Sequence, residues 1–147
     1  MKNQLLAHCI SLMELSVQSI KASMQELVTE AQTDSKSSAG DKHETGRAMM
    51  QQAQEHLGKQ LQEAELKRSI LYRIEGTSVH QIITEGSLVQ TNESFFFLSA
   101  PLGKVHLNGQ DVFVISLQSP LGKVLLGKKA GESVPFNNRT IQINSVS

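Results

Sequence analysis

Two carboxylates, Asp41 and Glu44, are the residues of this 147-residue chain whose type and spacing best suit chemistry. Carboxylate oxygens are hard ligands of the kind that Mg²⁺ prefers, but two of them fill only part of its six-oxygen shell. By themselves they would therefore bind the ion weakly. Inserted beside the catalytic carboxylates of another protein, they could help to hold a metal ion and to orient an attacking water.

Helix capping is the alternative explanation for the same pair. Asp41 is a good helix N-cap, and Glu44 stands three residues later, where a capping box has its acidic member. Both charges would also be favourable at the positive end of a helix dipole. The two roles are compatible, because capping would fix the geometry that metal binding needs.

The elements that position this pair are two long helix-forming segments, residues 3–32 and 43–74, separated by a short polar stretch. So short a break between long helices predicts an antiparallel hairpin with Asp41 and Glu44 at its tip. About 28 residues at ~1.5 Å each would make each arm ~40 Å long.

Apolar residues at alternating steps of four and three predict that the first helix packs along its length as in a coiled coil. This seam consists of Leu6, Ile10, Met13, Val17, Ile20, Met24, Leu27 and Ala31. The second helix is less regular, since Gln60 and Lys67 interrupt its seam of Met50, Ala53, Leu57, Ala64, Leu71 and Ile74.

The second half of the chain consists of short β-branched and aromatic runs divided by turn signals. These runs predict strands at residues 78–83, 94–99, 104–107, 112–117, 134–136 and 140–146. Asn108-Gly109 between two alternating runs predicts a tight hairpin, because its turn needs positive φ at both central residues. Ser119 as N-cap, Pro120 at the first helical position and Gly127 as the stop predict one short helix. The predicted fold class is therefore α+β, with a coiled-coil hairpin in residues 1–75 and an antiparallel β domain with one short helix in residues 76–147.

Composition excludes several classes of function. Lys and Arg number 14, as do Asp and Glu, so no global field attracts the chain to nucleic acid or to membranes. No stretch approaches the ~20 apolar residues of a membrane span, and the single Cys9 excludes an internal disulfide framework. We therefore expect a cytoplasmic protein. No phosphate-binding loop, nucleophile elbow or helical His pair is present in the sequence, so we also expect no tightly bound cofactor.

Two motifs, taken with this order of elements, resemble the Gre family of bacterial transcript-cleavage factors. The tip sequence Gly40-Asp41-Lys42-His43-Glu44 matches the family's Gly-Asp-x-x-Glu motif. The run from Ile115 to Val134 resembles the family's C-terminal signature, in which a strand ending in Ser-Pro leads into a small helix and a Gly-acid-x-Val strand. The resemblance covers nearly the whole chain in the right order.

The resemblance implies an FKBP-like C-terminal domain that docks at the rim of the secondary channel of RNA polymerase. The hairpin would enter the channel and bring Asp41 and Glu44 to the active site, where they share Mg²⁺ with the polymerase and help it to cleave backtracked RNA at its 3′ end. The chain would then be an accessory factor and not an enzyme. Ser119, Pro120 and Lys123 are the candidate docking residues.

The tip departs from the family pattern, and this keeps a second function open. The family typically continues with Asn, a further acid and an aromatic residue, whereas this chain has Thr45-Gly46-Arg47-Ala48. A regulator that occupies the channel without stimulating cleavage is therefore an alternative. Lys36, Lys42 and Arg47 near the tip are candidate contacts to RNA phosphate, or solvated balancing charges.

Two other classes compete with this hypothesis. A prolyl isomerase would need an aromatic-lined pocket, but the chain has no Trp and a single Tyr, which falls in the second helix. A structural adaptor would use the hairpin seam to associate and would have no need of Asp41 and Glu44.

Overall fold

The computed structural model describes residues 1–36 and 41–147, and of these it leaves the side chains of residues 34–36 and 41–44 undescribed. Within the described part, no helix is long and apolar enough to cross a membrane. Predictions that concern residues 37–40 lie outside the described residues.

Two long helices, α1 (Lys2–Lys36) and α2 (Asp41–Tyr72), form the N-terminal hairpin. The predicted seam of α1 is confirmed, because all eight of its residues are buried or half-buried while Glu14 and Lys21 between them are exposed. In α2 the half-buried row passes from Leu57 to Leu61, and Gln60 is exposed. The seam is therefore not interrupted at Gln60, because Leu61, four residues after Leu57, continues it.

Six strands and a short helix make up the C-terminal half. The strands are β1 (Leu88–Thr91), β2 (Phe95–Leu98), β3 (Gly103–Leu107), β4 (Gln110–Ile115), β5 (Ser133–Phe136) and β6 (Arg139–Val146), and helix α3 spans Pro120–Leu125. They form one sheet in the order β3-β4-β2-β1-β6-β5, so that β3 and β5 are its edges. The α+β fold class is confirmed.

The prediction of an antiparallel sheet is wrong for one pair of strands. The sheet is mixed, because β2 and β4 pair in parallel while the other described pairs are antiparallel. The reason is topological: β3 and β4 form a tight hairpin, and it is the second strand of that hairpin that lies beside β2. The run at residues 78–83, predicted as a strand, makes only one bridge, between Ile82 and Lys129. The sequence does not predict strand β1, although this strand lies at the centre of the sheet.

Residues with positive φ form the predicted turns. Asn108 and Gly109 have φ of 51° and 77°, which confirms the hairpin between β3 and β4. Asn137 and Asn138 have φ of 50° and 63° and join β5 to β6 in the same way. Asn and Gly are the residues that tolerate this conformation most readily.

Apolar side chains from the sheet and from α3 form the core of the β domain. Its fully or almost fully buried members are Ile83, Val89, Phe96, Leu98, Leu125, Val134, Ile141 and Ile143. Leu121 and Val124 of α3 pack against this cluster from one side. The short helix is therefore held by its apolar face, which leaves its polar face toward solvent.

The chain divides into two compact units, residues 12–66 and residues 1–11 together with 67–147. In the second unit the side-chain nitrogen of Asn108 donates a hydrogen bond of 3.2 Å to Gln4, and Leu5 and Cys9 are fully buried. Burial raises the pKa of the Cys9 thiol to about 11, which keeps it protonated and unreactive. The domain boundary predicted at residue 75 stays a prediction.

A buried amine lies at the start of α1. Lys2 is only 7% exposed, and its Nζ has no hydrogen-bond partner among the residues that the structure describes. Burial lowers the pKa of Lys2 from its ordinary 10.5. An unpaired polar group in such a place costs stability, since it loses its water without gaining a partner.

His80 is held near this amine by Ser87. Its Nδ1 is 3.0 Å from the Ser87 hydroxyl, which in turn accepts a hydrogen bond of 3.0 Å from the Thr84 backbone N–H. Burial, and secondly the positive charge of Lys2, lower the pKa of His80 from its ordinary 6.5. The folded protein therefore favours the neutral imidazole.

We predict that Lys2→Met stabilises the protein. Methionine fills a similar volume without a buried ammonium, so the free energy of unfolding should rise by about 1–3 kcal/mol. Urea denaturation followed by circular dichroism measures the change. Lys21→Met, at an exposed position of the same helix, is the control and should leave the midpoint nearly unchanged. A lower midpoint for Lys2→Met would show that the amine has a stabilising role.

We predict that His80 makes the stability of the protein fall in mild acid. The unfolded chain protonates His80 near pH 6.5, whereas the folded protein does so only at lower pH because its pKa is lowered. The stabilising contribution is therefore complete above pH 6.5 and is lost as the pH falls through 6.5 toward the folded pKa. Denaturation between pH 7.5 and pH 5.5 should show a smaller loss for His80→Gln than for the wild type. Equal losses in the two proteins, with His56→Gln as exposed control, would contradict the prediction.

Candidate functional site

The acidic pair predicted from sequence lies at the start of α2. The helix begins at Asp41, so that Asp41 and Glu44 both fall in its first turn. The side chains of both residues are outside the described part of the chain. Capping and metal binding at the tip both stay predictions, as does the identity of the ion.

The three basic residues proposed near the tip lie on both helices. Lys36 is the last residue of α1, and Lys42 is the second residue of α2, with both side chains outside the described residues. Arg47 is described, and its side chain is exposed. Within the described residues, no group of three His, Cys, Asp or Glu side chains could hold a metal ion.

The second predicted site is the entry to α3, and Ser119 has the geometry of a helix cap there. Its backbone is extended, with φ −65° and ψ 156°, and its hydroxyl accepts a hydrogen bond of 3.1 Å from the Gly122 backbone N–H. The same hydroxyl donates to the carbonyl oxygen of Ser116 at 2.6 Å. Both interactions tie the helix to the strand before it, so the Ser119 side chain serves the fold.

Pro120 and Lys123 are the members of the predicted docking set that face outward. Pro120 occupies the first turn of α3, where its missing N–H costs no hydrogen bond, and both side chains are exposed. The docking prediction itself stays a prediction. Ser119 stabilises the turn at the start of α3, whereas the side chains of Pro120 and Lys123 are free to contact a partner.

Gly122 is a requirement of this site that the sequence analysis missed. It is buried, and a Cβ atom there would collide with the carbonyl oxygen of Ser116. The helix can therefore lie this close to the end of the preceding strand only with glycine at this position. Glycine in the third position of a six-residue helix, where it lowers helix propensity, was the available signal.

Three exposed apolar residues were also missed. The sequence predicts a strand that contains Val79 and Ile82, and a short helix that contains Leu126. In the structure residues 78–83 form no strand, and all three side chains are exposed. The alternating pattern of that segment suited a half-buried strand, and nothing in it distinguished one isolated bridge from a ladder.

Comparison with known proteins finds similar chains among solved structures. No family model matches the chain, and no curated protein matches it. Among solved structures, the chain is similar to one described as "Structure of the transcription factor Gfh1", with 20% sequence identity. The similarity covers 94% of this chain and 92% of that one, with a TM-score of 0.36.

We predict opposite effects of the same substitution at two glycines. Gly122→Ala should lower the free energy of unfolding by about 1–3 kcal/mol, because the new methyl group displaces the backbone of Ser116. Gly58→Ala should raise it by ~0.5–1 kcal/mol, because Gly58 lies within α2 with no atom near its Cβ position. Denaturation of the two variants in parallel measures both changes. Equal stability of wild type and Gly122→Ala would show that the strand end yields easily.

Proposed function

We propose that this chain is a transcription factor that binds the secondary channel of bacterial RNA polymerase and stimulates cleavage of backtracked RNA. The observation that carries the proposal is the position at which the second helix begins. Helix α1 ends at Lys36 and α2 begins at Asp41, so the two acids of the chain's Gly-Asp-x-x-Glu motif stand in the first turn of the second helix. This is where a factor of the Gre type needs its acidic residues.

The second motif supports the proposal independently. The Ser-Pro sequence that resembles the Gre signature begins a short helix on a strand-rich domain, and Ser119 caps that helix. The acids of the first motif and the Ser-Pro pair of the second each stand at the start of a helix, and this supports the proposal. In this proposal the β domain docks at the channel rim through a surface that includes Pro120 and Lys123.

The chemistry proposed for the tip is assistance to the polymerase. The two carboxylates offer the oxygen donors that suit Mg²⁺, and the polymerase supplies the remaining ligands. When bound, Mg²⁺ supplies a Lewis acid and an activated water for phosphodiester hydrolysis. Asp41 and Glu44 would orient this water against the RNA 3′ segment, while the catalytic centre belongs to the polymerase. The chain alone would have no activity.

Occupation of the channel without cleavage is the second candidate function. The observation that favours it is Arg47, whose exposed side chain lies one turn after the acidic pair on α2. A positive charge at this point partly offsets the two carboxylates that should attract a metal ion. It would also pair with an RNA phosphate, as would Lys36 and Lys42, and so hold the transcript rather than hydrolyse it.

We predict that Asp41→Asn and Glu44→Gln each slow transcript cleavage by at least about tenfold, the scale expected for groups that position a metal ion. The measurement is the shortening of labelled RNA in stalled, backtracked polymerase complexes, with and without the protein. Glu63→Gln, at an exposed position of the same helix, is the matched control and should cleave as the wild type does.

Binding to polymerase must be measured beside cleavage. If the wild type binds and leaves the RNA intact, the cleavage function is wrong and the channel-occupying function replaces it. If both the wild type and the tip variants fail to bind, the transcription-factor proposal is wrong and a coiled-coil adaptor takes its place.

A further inference from the structure

Three large apolar side chains of the β domain are exposed in two adjoining segments. Val79 is 78% exposed, Ile82 is 56% exposed and Leu126 is 48% exposed. We call these three residues the apolar ridge. Isolated apolar residues are common on protein surfaces, but a group of them marks a place where another molecule binds.

Backbone hydrogen bonds hold the two segments side by side. Ile83 donates its N–H to the carbonyl oxygen of Lys128 at 2.8 Å, and Gly127 donates to the carbonyl oxygen of Ile83 at 2.9 Å. Ile83 is fully buried, whereas its neighbour Ile82 is exposed and forms a bridge with Lys129 of the adjoining segment, which Leu126 precedes by three residues. Val79 precedes Ile82 by three residues, within about 10 Å along the chain.

Three lysines lie close to Leu126 along the chain, and the last of them forms the bridge with Ile82: Lys123, Lys128 and Lys129. Lys123 lies on α3 one turn before Leu126, and the other two follow Leu126 directly. Lys123 and Lys129 are exposed, and Lys128 is half-buried. We call this set the lysine group.

The lysine group lacks acidic partners within the described part of the chain. Each of the four carboxylates in residues 76–147 is already engaged: Glu85 with Arg73, Glu93 with Arg139, Asp111 with Lys104 and His106, and Glu132 with the backbone N–H of Lys129. The remaining basic residues of this half are the three lysines beside the ridge. The carboxylate of Glu132 lies beside the backbone of Lys129 and offsets part of the charge of the lysine group, so a net positive charge remains where the apolar surface of this half is exposed.

We propose that the apolar ridge and the lysine group form the surface that docks on RNA polymerase, and that its partner there is an acidic segment with apolar side chains. This inference rests on the proposed function and assigns its docking site. Burial of the ridge supplies affinity through removal of apolar area from water. The lysines steer the encounter toward negative charge and fix the orientation of the complex.

The ridge extends the docking set beyond the entry to α3. Pro120 and Lys123 were proposed from sequence, and Lys123 also belongs to the lysine group. The surface thus continues from α3 across Leu126 to Ile82, and it includes residues of a segment that carries no sequence motif. A partner that contacts only the Ser-Pro turn would leave the ridge exposed to water.

The test is binding of the full-length chain to immobilised core RNA polymerase. One variant carries Val79→Ser, Ile82→Ser and Leu126→Ser, and it should bind at least about tenfold more weakly, as expected when central apolar contacts are truncated. A second variant carries Lys123→Gln and Lys129→Gln, and it should bind about three- to tenfold more weakly, with a smaller dependence on salt concentration. The matched control carries Lys104→Gln and Arg139→Gln, which removes two charges elsewhere in the domain, and it should bind as the wild type does.

The outcomes separate this proposal from the function on which it rests. If the wild type does not bind the polymerase, the proposed function fails. If the wild type binds and both surface variants bind equally well, the function stands and this docking surface is wrong.

Ultracentrifugation of the free proteins adds a further criterion. A wild-type dimer that the serine variant abolishes would overturn the proposal, because the ridge would then join two copies of the chain. Unfolding midpoints establish that each variant is folded, and the lysine variant tests the proposal even if the serine variant is unstable.

Discussion

Packing between the two long helices is the constraint on which the whole N-terminal hairpin depends. A helix in water gains little stability from its own hydrogen bonds, and most helices persist because an apolar face is covered. In α1 that face is one row of eight apolar residues, all at least half-buried. The corresponding row of α2 includes Leu57, Leu61 and the buried Ala64. Together these rows hold the hairpin whose second helix begins with Asp41 and Glu44 in its first turn.

The β domain achieves its order by a different means. Its strands have four to eight residues, too few for independent stability, and they rely on a shared core and on turns that admit one geometry. Gly122 and Ser119 show how local this requirement is. Gly122 has no Cβ atom, which allows the helix to pack against Ser116. The Ser119 hydroxyl accepts the hydrogen bond that caps the start of the helix. The burial of Leu125 then anchors α3 to the sheet.

Features set by local rules could be predicted from the sequence, and features set by distant contacts could not. The heptad seam of α1, the turn at Asn108-Gly109 and the cap at Ser119 follow from spacing or from the conformations that single residues permit. The parallel pairing of β2 with β4 depends on where a whole hairpin packs, and no pattern within either strand encodes it. The exposure of Ile82 was missed for the same reason, because one isolated bridge and a full ladder share the same alternating sequence. At the tip, the sequence predicts the carboxylates and the structure locates their helix turn. The role of the pair depends on side chains that lie beyond the described residues.

The two edges of the sheet restrict the way in which this domain can meet other proteins. On β5, Pro135 has no N–H to offer, and on β3 the side chains of Lys104 and His106 gather around Asp111 in a charged cluster. Proline and charge at sheet edges oppose the addition of a foreign strand. The domain is thus a poor template for β-augmentation and for aggregation through its edges. Its partners must therefore recognise it by shape and by side chains. Selectivity then depends on the identity of each exposed residue, and not on hydrogen bonds to the backbone.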